Sequence, residues 1–412
     1  MKLTIDTAKL IGELDTLSSF SDTPAPAVTR IVFSDADLGA RAWLKGLYRE
    51  AGLTVREDAV GNTFARFEGV EPDLAAVGTG SHTDAIPHSG RYDGTVGVLG
   101  GLEAIRALQR AGIKPRRSIE LLMFTSEEPT RFGIGCLGSR LLAGTLDPSA
   151  GQTLRDSEGN TLDHVRTHAG FEGSLTEVAL QPNYYSAFAE LHIEQGPLLE
   201  RRSVPLGVVR AIAAPASVRV TVHGQGGHAG AVLMPDRHDA FMAAAEIALA
   251  LEAAAKSTGA IDSVATTGVC EVFPGAVNSI PSRVRLAMDI RDIDEARRDG
   301  MLADLDRVCN EISQRRGVTT QTEIINRDAP AACDPSVVAA LNAACRTHGL
   351  AFDSMVSRAY HDSLFMSRIC PAAMLFIPCR DGVSHRPDEY AAPEAIEQGT
   401  LVLAEALANL AA

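Results

Sequence analysis

The sequence predicts an α/β protein: one discontinuous domain with a largely parallel central sheet flanked by helices, and a small α+β domain inserted into it. Three observations predict this division. Strand-like and helix-like patterns alternate in the first half of the 412-residue chain, the pattern changes near residue 211, and the alternation resumes after residue 328. We therefore assign residues 1–210 and 328–412 to the discontinuous domain and residues 211–327 to the inserted one.

Short apolar runs predict the strands of the discontinuous domain. Leu74–His82, Ser118–Glu127 and Ala187–Glu194 are runs of strand length, and Met374–Pro378 is another near the end of the chain. Val96–Ile113 has the periodicity of a helix. Near-continuous apolar strands are typical of a parallel sheet buried on both faces, so we expect such a sheet here.

The inserted segment contains six elements in the order β-α-β-β-α-β. This order is the ferredoxin-like arrangement, and about 115 residues suit one small domain. The elements are expected at Val218–Gly224, Asp236–Lys256, Ser263–Pro274, Arg283–Asp292, Asp294–Arg315 and Thr319–Asn326.

The composition excludes several classes of function. Lys and Arg total 38 against 52 for Asp and Glu, which gives a net charge of −14 and disfavours binding to nucleic acid or an anionic membrane. There is no apolar stretch of ~20 residues and no signal-peptide pattern at the start. The seven cysteines are odd in number and never spaced as CxxC, which favours reduced thiols. We expect a globular protein of the cytoplasm.

Histidines and carboxylates follow the predicted strands, at the carboxyl edge where open α/β sheets bind ligands. Singly, each has an ordinary structural explanation. Together they offer the ligand types that bind Zn, Mn or Co, and five ligands with one shared carboxylate would hold two ions. The histidines and carboxylates that follow the predicted strands, from which such ligands would come, are His82, Asp84, Asp93, Glu127, Glu128, His192 and His385.

Two pairs of neighbours at this edge suggest more specific roles. Asp84, two residues after His82, is placed to accept a hydrogen bond from that imidazole and fix its tautomer. Of the adjacent Glu127 and Glu128, one can bind a metal while the other acts as a general base.

These segments resemble the dinuclear metal amidohydrolase family that includes aminoacylases and some carboxypeptidases and dipeptidases, in its N-carbamoyl-amino-acid hydrolase branch. The matching motifs are GSHTD, GRYDG, SEEPTRFG, LHIEQGP, GGHAG and SHRP. Within the branch, the longer segments TSEEPTRFGIGCLGSRLLAG, AIAAPAS, GGHAGAVLMP and SRAYHDSLFM are most similar to the ureidoglycolate amidohydrolase group of plants. Tyr360 stands where other members have Gly before His-Asp.

The resemblance implies a metal centre with two divalent ions per chain, Mn or Zn first, with Co or Ni also possible. Asp93 would bridge the two ions. The implied ligands are His82 and His192 for one ion and Glu128 and His385 for the other, and Glu127 would be the general base.

The resemblance also implies substrate contacts, at Gln195, His228, Asn278 and Arg291. His228 would act from the partner subunit of a homodimer, and the inserted domain would serve as a lid and dimerisation domain. From the residues alone, Arg291 is equally well a surface ion pair and His228 a loop residue among glycines. Tyr360 would place a phenol near the substrate; His361 receives no role.

The expected reaction is hydrolysis of the ureido C–N bond of a small ureido-carboxylate by a hydroxide that bridges the metals. Ureidoglycolate is the first candidate, giving glyoxylate, ammonia and CO2. N-carbamoyl-L-amino acids and allantoate are the alternatives, and LHIEQGP and GRYDG disfavour a peptidase or aminoacylase. A non-catalytic metal-binding or ligand-binding relative is disfavoured because Glu127 and all five ligand positions are intact.

Overall fold

The computed structural model describes residues 3–412, which divide into two units. The first unit comprises residues 3–210, Cys333–Met355 and His361–Ala412. The second comprises Ala211–Ala332 and Val356–Tyr360. The second unit thus extends five residues beyond the expected insertion and also takes in the short segment that ends at Tyr360.

Seventeen strands form the sheets of the described residues. They are β1 (Val28–Arg30), β2 (Thr54–Glu57), β3 (Thr63–Phe67), β4 (Ala76–His82), β5 (Ala85–Ser89), β6 (Ile119–Phe124), β7 (Tyr185–Ile193), β8 (Leu206–Ile212), β9 (Ala214–His223), β10 (Gly227–His228), β11 (Val264–Phe273), β12 (Ser279–Ile280), β13 (Arg283–Asp292), β14 (Thr319–Arg327), β15 (Ala331–Ala332), β16 (Phe352–Ser357) and β17 (Ala372–Ile377).

Twelve α-helices accompany these strands in the described part of the chain. They are α1 (Thr7–Ser19), α2 (Asp35–Glu50), α3 (Thr95–Arg110), α4 (Leu137–Leu142), α5 (Pro148–Thr153), α6 (Leu162–His168), α7 (Leu198–Arg202), α8 (Ala240–Ser257), α9 (Glu295–Arg316), α10 (Pro335–Thr347), α11 (Asp362–Met366) and α12 (Pro393–Leu410).

The large sheet has nine strands and is mixed. Its order is β15-β8-β17-β7-β4-β6-β3-β2, and β16 pairs with β8. The four central strands, β17, β7, β4 and β6, are parallel and almost wholly buried, and α3 and α12 pack against them. The predicted α/β fold with helices flanking the sheet is therefore confirmed.

The expectation of a largely parallel sheet is correct only for this centre. β8 is antiparallel to β17, and β3 is antiparallel to β6. β2 and β3 also pair antiparallel. Parallel neighbours need a long crossover, whereas the few residues between β2 and β3 allow only a hairpin. β2 and β3 carry no long apolar run, so the sequence pattern did not predict them.

The second unit contains a four-stranded antiparallel sheet in the order β11-β13-β9-β14. Burial alternates along β13, so one face of this sheet is covered and the other is open. Helices α8 and α9 cover the first face with apolar side chains that pack on the alternate residues of β9 and β13. Within residues 3–412, no helix combines the length and the apolarity that a bilayer span requires.

Candidate metal centre

The four central strands deliver most of the predicted ligands to one edge of the large sheet. His82 is the last residue of β4, and His192 is the last but one of β7. Glu127 and Glu128 follow β6, and His385 follows β17. Because these strands are parallel, their carboxyl ends share an edge, as the sequence predicted.

Asp93 lies between these side chains, in the segment between β5 and α3. Its Oδ1 is 3.5 Å from Nε2 of His82 and 3.2 Å from Nε2 of His192. Its Oδ2 is 3.3 Å from Nε2 of His385, which is itself 3.2 Å from Oε1 of Glu128. The structure therefore forms two groups of possible ligand atoms that share Asp93, and within each group these atoms lie within 4.8 Å of one another.

The hydrogen bonds of the buried histidines present the right nitrogen to a metal. Nδ1 of His82 is 3.0 Å from the carbonyl oxygen of Asp84, and Nδ1 of His192 is 2.9 Å from that of Ile193. A carbonyl can only accept, so Nδ1 carries a hydrogen, and Nε2, which faces Asp93, is the nitrogen left to bind a metal. Imidazole and carboxylate ligands in this arrangement fit two divalent ions, and they do not distinguish between Zn, Mn, Co and Ni.

Asp84 fixes the tautomer of His82 through a different oxygen from the one expected. Its carboxylate Oδ1 is 3.7 Å from Nδ1 of His82, too far for a hydrogen bond, whereas the main-chain carbonyl is in contact. The carboxylate instead accepts from the backbone N–H of Glu127 at 3.2 Å and of Glu128 at 3.0 Å. Asp84 thereby joins the end of β4 to the segment that presents both glutamates.

Glu127 is a buried carboxyl group beside the shared aspartate. Only 7% of the residue is exposed, and its Oε2 is 3.8 Å from Nε2 of His82. Burial, together with repulsion from Glu128, Asp362 and Asp93, raises its pKa well above the ordinary value, although His82 opposes the shift. A carboxyl with a raised pKa can accept a proton and return it near neutral pH, which suits a general base.

The pKa values of the histidines show that the electrostatic potential of the centre is negative. Hydrogen bonds with Asp93 and Glu128 raise the pKa of His385 to about 11. Burial opposes the charged form of His82 and His192, yet the neighbouring carboxylates raise the pKa of both. In Asp93, three hydrogen-bonded histidines outweigh burial and hold the pKa well below its usual range. This place therefore attracts positive charge, as a cation site must.

Gln195 lies at the same centre, just after β7. Its Nε2 donates to Oδ2 of Asp93 at 2.6 Å, and its Oε1 is buried without a hydrogen-bond partner. The side chain is therefore fixed at one end and has an unused acceptor at the other.

The four remaining predicted residues lie in the second unit. His228 and Asn278 are exposed neighbours, because β10 pairs with β12 and the N–H of Ala229 donates to the carbonyl of Asn278. Arg291 forms an ion pair with Asp289, with Nε 2.6 Å from Oδ1, and also donates to the carbonyl of Arg358.

Tyr360, the last residue of the second unit, donates its hydroxyl to the carboxylate of Asp328 at 2.7 Å. The structure thus gathers the five proposed ligands, Asp84, Glu127 and Gln195 in the first unit, and places His228, Asn278, Arg291 and Tyr360 in the second.

Several side chains around the centre escaped the sequence reasoning. Ser384 donates to Oδ2 of Asp93 at 2.6 Å, and the carboxylate of Glu389 accepts from the backbone N–H of Asp93 at 3.1 Å. Ser384 directly precedes His385 and Glu389 follows it by four positions, so their nearness to a proposed ligand was the only sequence feature that could have marked them as part of the centre. The ring of His361 makes an edge-to-face contact with the ring of His192, with 4.6 Å between the ring centroids.

Comparison with known proteins gives concordant matches. Residues 78–409 match the family model described as peptidase family M20/M25/M40. The ureidoglycolate hydrolase of Oryza sativa subsp. japonica is 53% identical over 412 residues, which cover 98% of this chain and 85% of that protein. The N-carbamoyl-L-amino acid amidohydrolase of Geobacillus stearothermophilus is 37% identical over 404 residues and covers 98% of each chain. The crystal structure of AtUAH in complex with glyoxylate has a TM-score of 0.91 at 50% identity, covering 99% of this chain and 98% of that one.

Proposed function

The chain belongs to the peptidase family M20/M25/M40, and we propose that its reaction is hydrolysis of the ureido C–N bond of ureidoglycolate. The predicted branch and the predicted class, an amidohydrolase, are both confirmed by its relatives. The observation that carries the mechanism is the pair of ligand groups that share Asp93, with the buried carboxyl of Glu127 beside them.

The choice of substrate is supported by two relatives. One that is 53% identical is named ureidoglycolate hydrolase, and the similar crystal structure contains glyoxylate, which is the product expected from ureidoglycolate. The relative named for N-carbamoyl-L-amino acids is less similar, at 37% identity. Ureidoglycolate is therefore proposed ahead of that class.

Two divalent ions fit the centre, one in each ligand group. His82, His192 and Asp93 would hold the first, and Asp93, Glu128 and His385 the second. Bound there, the ions would supply Lewis acidity and lower the pKa of a water molecule. Mn or Zn is proposed first, with Co or Ni as alternatives, since the ligands suit all four.

Glu127 is proposed as the residue that moves the proton. It takes a proton from the attacking water as the water oxygen adds to the ureido carbon, and it later gives that proton to the leaving nitrogen. The C–N bond breaks with its electron pair on this nitrogen. The carbamate released decays to ammonia and CO2, and the hydroxyglycine collapses to glyoxylate and a second ammonia.

The substrate carboxylate is proposed to bind Arg291 and Asn278. The planar guanidinium of Arg291 suits bidentate contact with a carboxylate, and its present partner, Asp289, shows that it already binds one in this way. Gln195 would offer its free Oε1 to an N–H of the substrate. Tyr360 is also proposed to contact the substrate through its hydroxyl. For this, the hydrogen bond between that hydroxyl and the carboxylate of Asp328 would have to break.

The second unit is proposed as a ferredoxin-like lid and dimerisation domain, from which His228 would reach the oxyanion in the partner subunit. Its strand order and its two helices on one face support this interpretation. Large exposed apolar side chains support an interaction surface. They include Leu233, Met234, Leu249, Ile261, Phe273 and Val277. All seven cysteines are free, which supports the proposed cytoplasmic location.

The substrate assignment is tested by side-by-side turnover. The manganese-supplemented protein is assayed with (S)-ureidoglycolate, N-carbamoyl-L-alanine and allantoate at matched concentrations. We expect kcat/KM to be highest for ureidoglycolate. A preference for either other substrate would contradict the assignment and leave the proposed mechanism standing.

A further inference from the structure

Glu389 directs its whole carboxylate at the segment that carries Asp93. The residue is 5% exposed. Its Oε1 accepts from the backbone N–H of Tyr92 at 2.7 Å and of Asp93 at 3.1 Å. Its Oε2 is 2.8 Å from the hydroxyl of Ser384, and that hydroxyl is 2.6 Å from Oδ2 of Asp93. Glu389 therefore holds the segment of Asp93 through two main-chain hydrogen bonds. The hydroxyl of Ser384 lies between the two carboxylates and donates its one hydrogen to either of them.

The two loops that meet here are packed without spare room. A Cβ on Gly90 would lie 2.3 Å from Cβ, Cδ and Oε1 of Glu389, so only a glycine lets the backbone approach this closely. The rings of Tyr92 and Tyr390 add an edge-to-face contact, with 6.2 Å between centroids. Residues 90–94 and 384–390 thus form one joined structure, although almost 300 positions separate them in the sequence.

We propose that Glu389 is the positioning residue for Asp93, and that through this one carboxylate it controls the binding of both ions. The proposal rests on the two-ion centre proposed above. Without Glu389, the buried N–H groups of Tyr92 and Asp93 lose their acceptor, and the segment would shift to find others. Because Asp93 belongs to both ligand groups, its displacement weakens both sites together, whereas His385 belongs to only one.

The test is calorimetric titration of the metal-free protein with MnCl2. For Glu389→Ala we expect the affinity for both ions to fall at least tenfold. The melting temperature of the metal-free form is also expected to fall, because two buried N–H groups lose their acceptor, so each variant is titrated at a temperature at which it is folded. Glu389→Asp keeps the charge but is one methylene shorter, and we expect the same paired loss from it. Should the alanine variant fail to fold, the aspartate variant carries the test.

Two further variants provide the comparison. His385→Ala is expected to lose one ion and keep the other. Asp388→Ala is the matched control, since its carboxylate is exposed and pairs with Arg386 at 2.7 Å. It is expected to bind two ions as the wild type does.

Glu389 variants that bind both ions with wild-type affinity, or that lose only one, would overturn the positioning role. A wild-type protein that binds fewer than two ions would instead overturn the proposed centre itself. The two failures are therefore distinguishable, and neither depends on turnover of a substrate.

Discussion

Nε2 of His82 lies directly against Gly94, where a Cβ would stand only 2.5 Å from it. Gly94 also has a φ of 67°, a backbone angle that residues other than glycine rarely adopt. The residue after Asp93 is thus a glycine for two reasons: the backbone conformation and the space that the imidazole occupies.

Gly94→Ala is therefore expected to displace His82 and to remove the ion held by His82, His192 and Asp93. Gly144→Ala is the matched control, because Gly144 also has a φ of 67° but has open space around the position of a Cβ. Both variants should lose about 1–2 kcal/mol of stability from backbone strain. Elemental analysis should show metal loss only in Gly94→Ala; equal metal content in the two variants would contradict the crowding at His82.

Glu127→Gln is expected to reduce turnover by a factor of ~10²–10⁴, because the amide cannot accept the proton of the attacking water. Metal content should stay near that of the wild type, since Glu127 belongs to neither ligand group. Glu128→Gln, in contrast, should lose an ion. Steady-state kinetics measure the turnover and elemental analysis measures the metal content of the same samples. Metal loss in Glu127→Gln would show that this residue is a ligand and not the general base.

Arg291→Ala is expected to raise KM for ureidoglycolate roughly 10- to 100-fold, the effect of losing a charge-assisted contact with the carboxylate. Arg285→Ala is the control on the same strand, since its exposed guanidinium pairs with Glu271. It should leave KM unchanged. Equal KM values for both variants and the wild type would remove Arg291 from the proposed carboxylate contact.

Glu246 predicts a pH dependence of stability in the second unit. Hydrogen bonds from Arg316 and Arg315 lower its pKa to about 2, below the ordinary value of 4.5. The ion pairs therefore stabilise the fold above pH 4.5, and this contribution disappears as the pH falls towards 2. Because the site is partly exposed, Glu246→Gln should cost at most about 1 kcal/mol at pH 7. Thermal melting should show that difference shrinking below pH 4; a constant difference would refute the assignment.

The parallel centre of the fold was predictable because each of its strands is a continuous apolar run followed by polar residues. The same pattern explains why His82, His192, Glu127 and His385 share one edge. Helix starts were harder to predict. The expected helix began at Asp236, but α8 begins after Asp239, whose carboxylate caps the backbone N–H of Phe241.

The atoms that make a contact, and contacts between distant segments, could not be predicted from the sequence. Spacing placed Asp84 beside His82 but did not reveal that the carbonyl of Asp84, and not its carboxylate, contacts the imidazole. Glu389 reaches Asp93 across 296 positions, and no local pattern encodes such a pair. The antiparallel outer strands depend on hairpin and edge pairings of short, half-polar segments, which resemble loops in the sequence.

The central claim is most directly tested by the products that the manganese-loaded protein forms from (S)-ureidoglycolate. Glyoxylate and ammonia are measured in the same reaction. The account predicts two ammonia molecules for each glyoxylate, with formation of both slowed by a factor of ~10²–10⁴ in Glu127→Gln. Ammonia without glyoxylate, or no turnover by a protein that holds two ions, would contradict it.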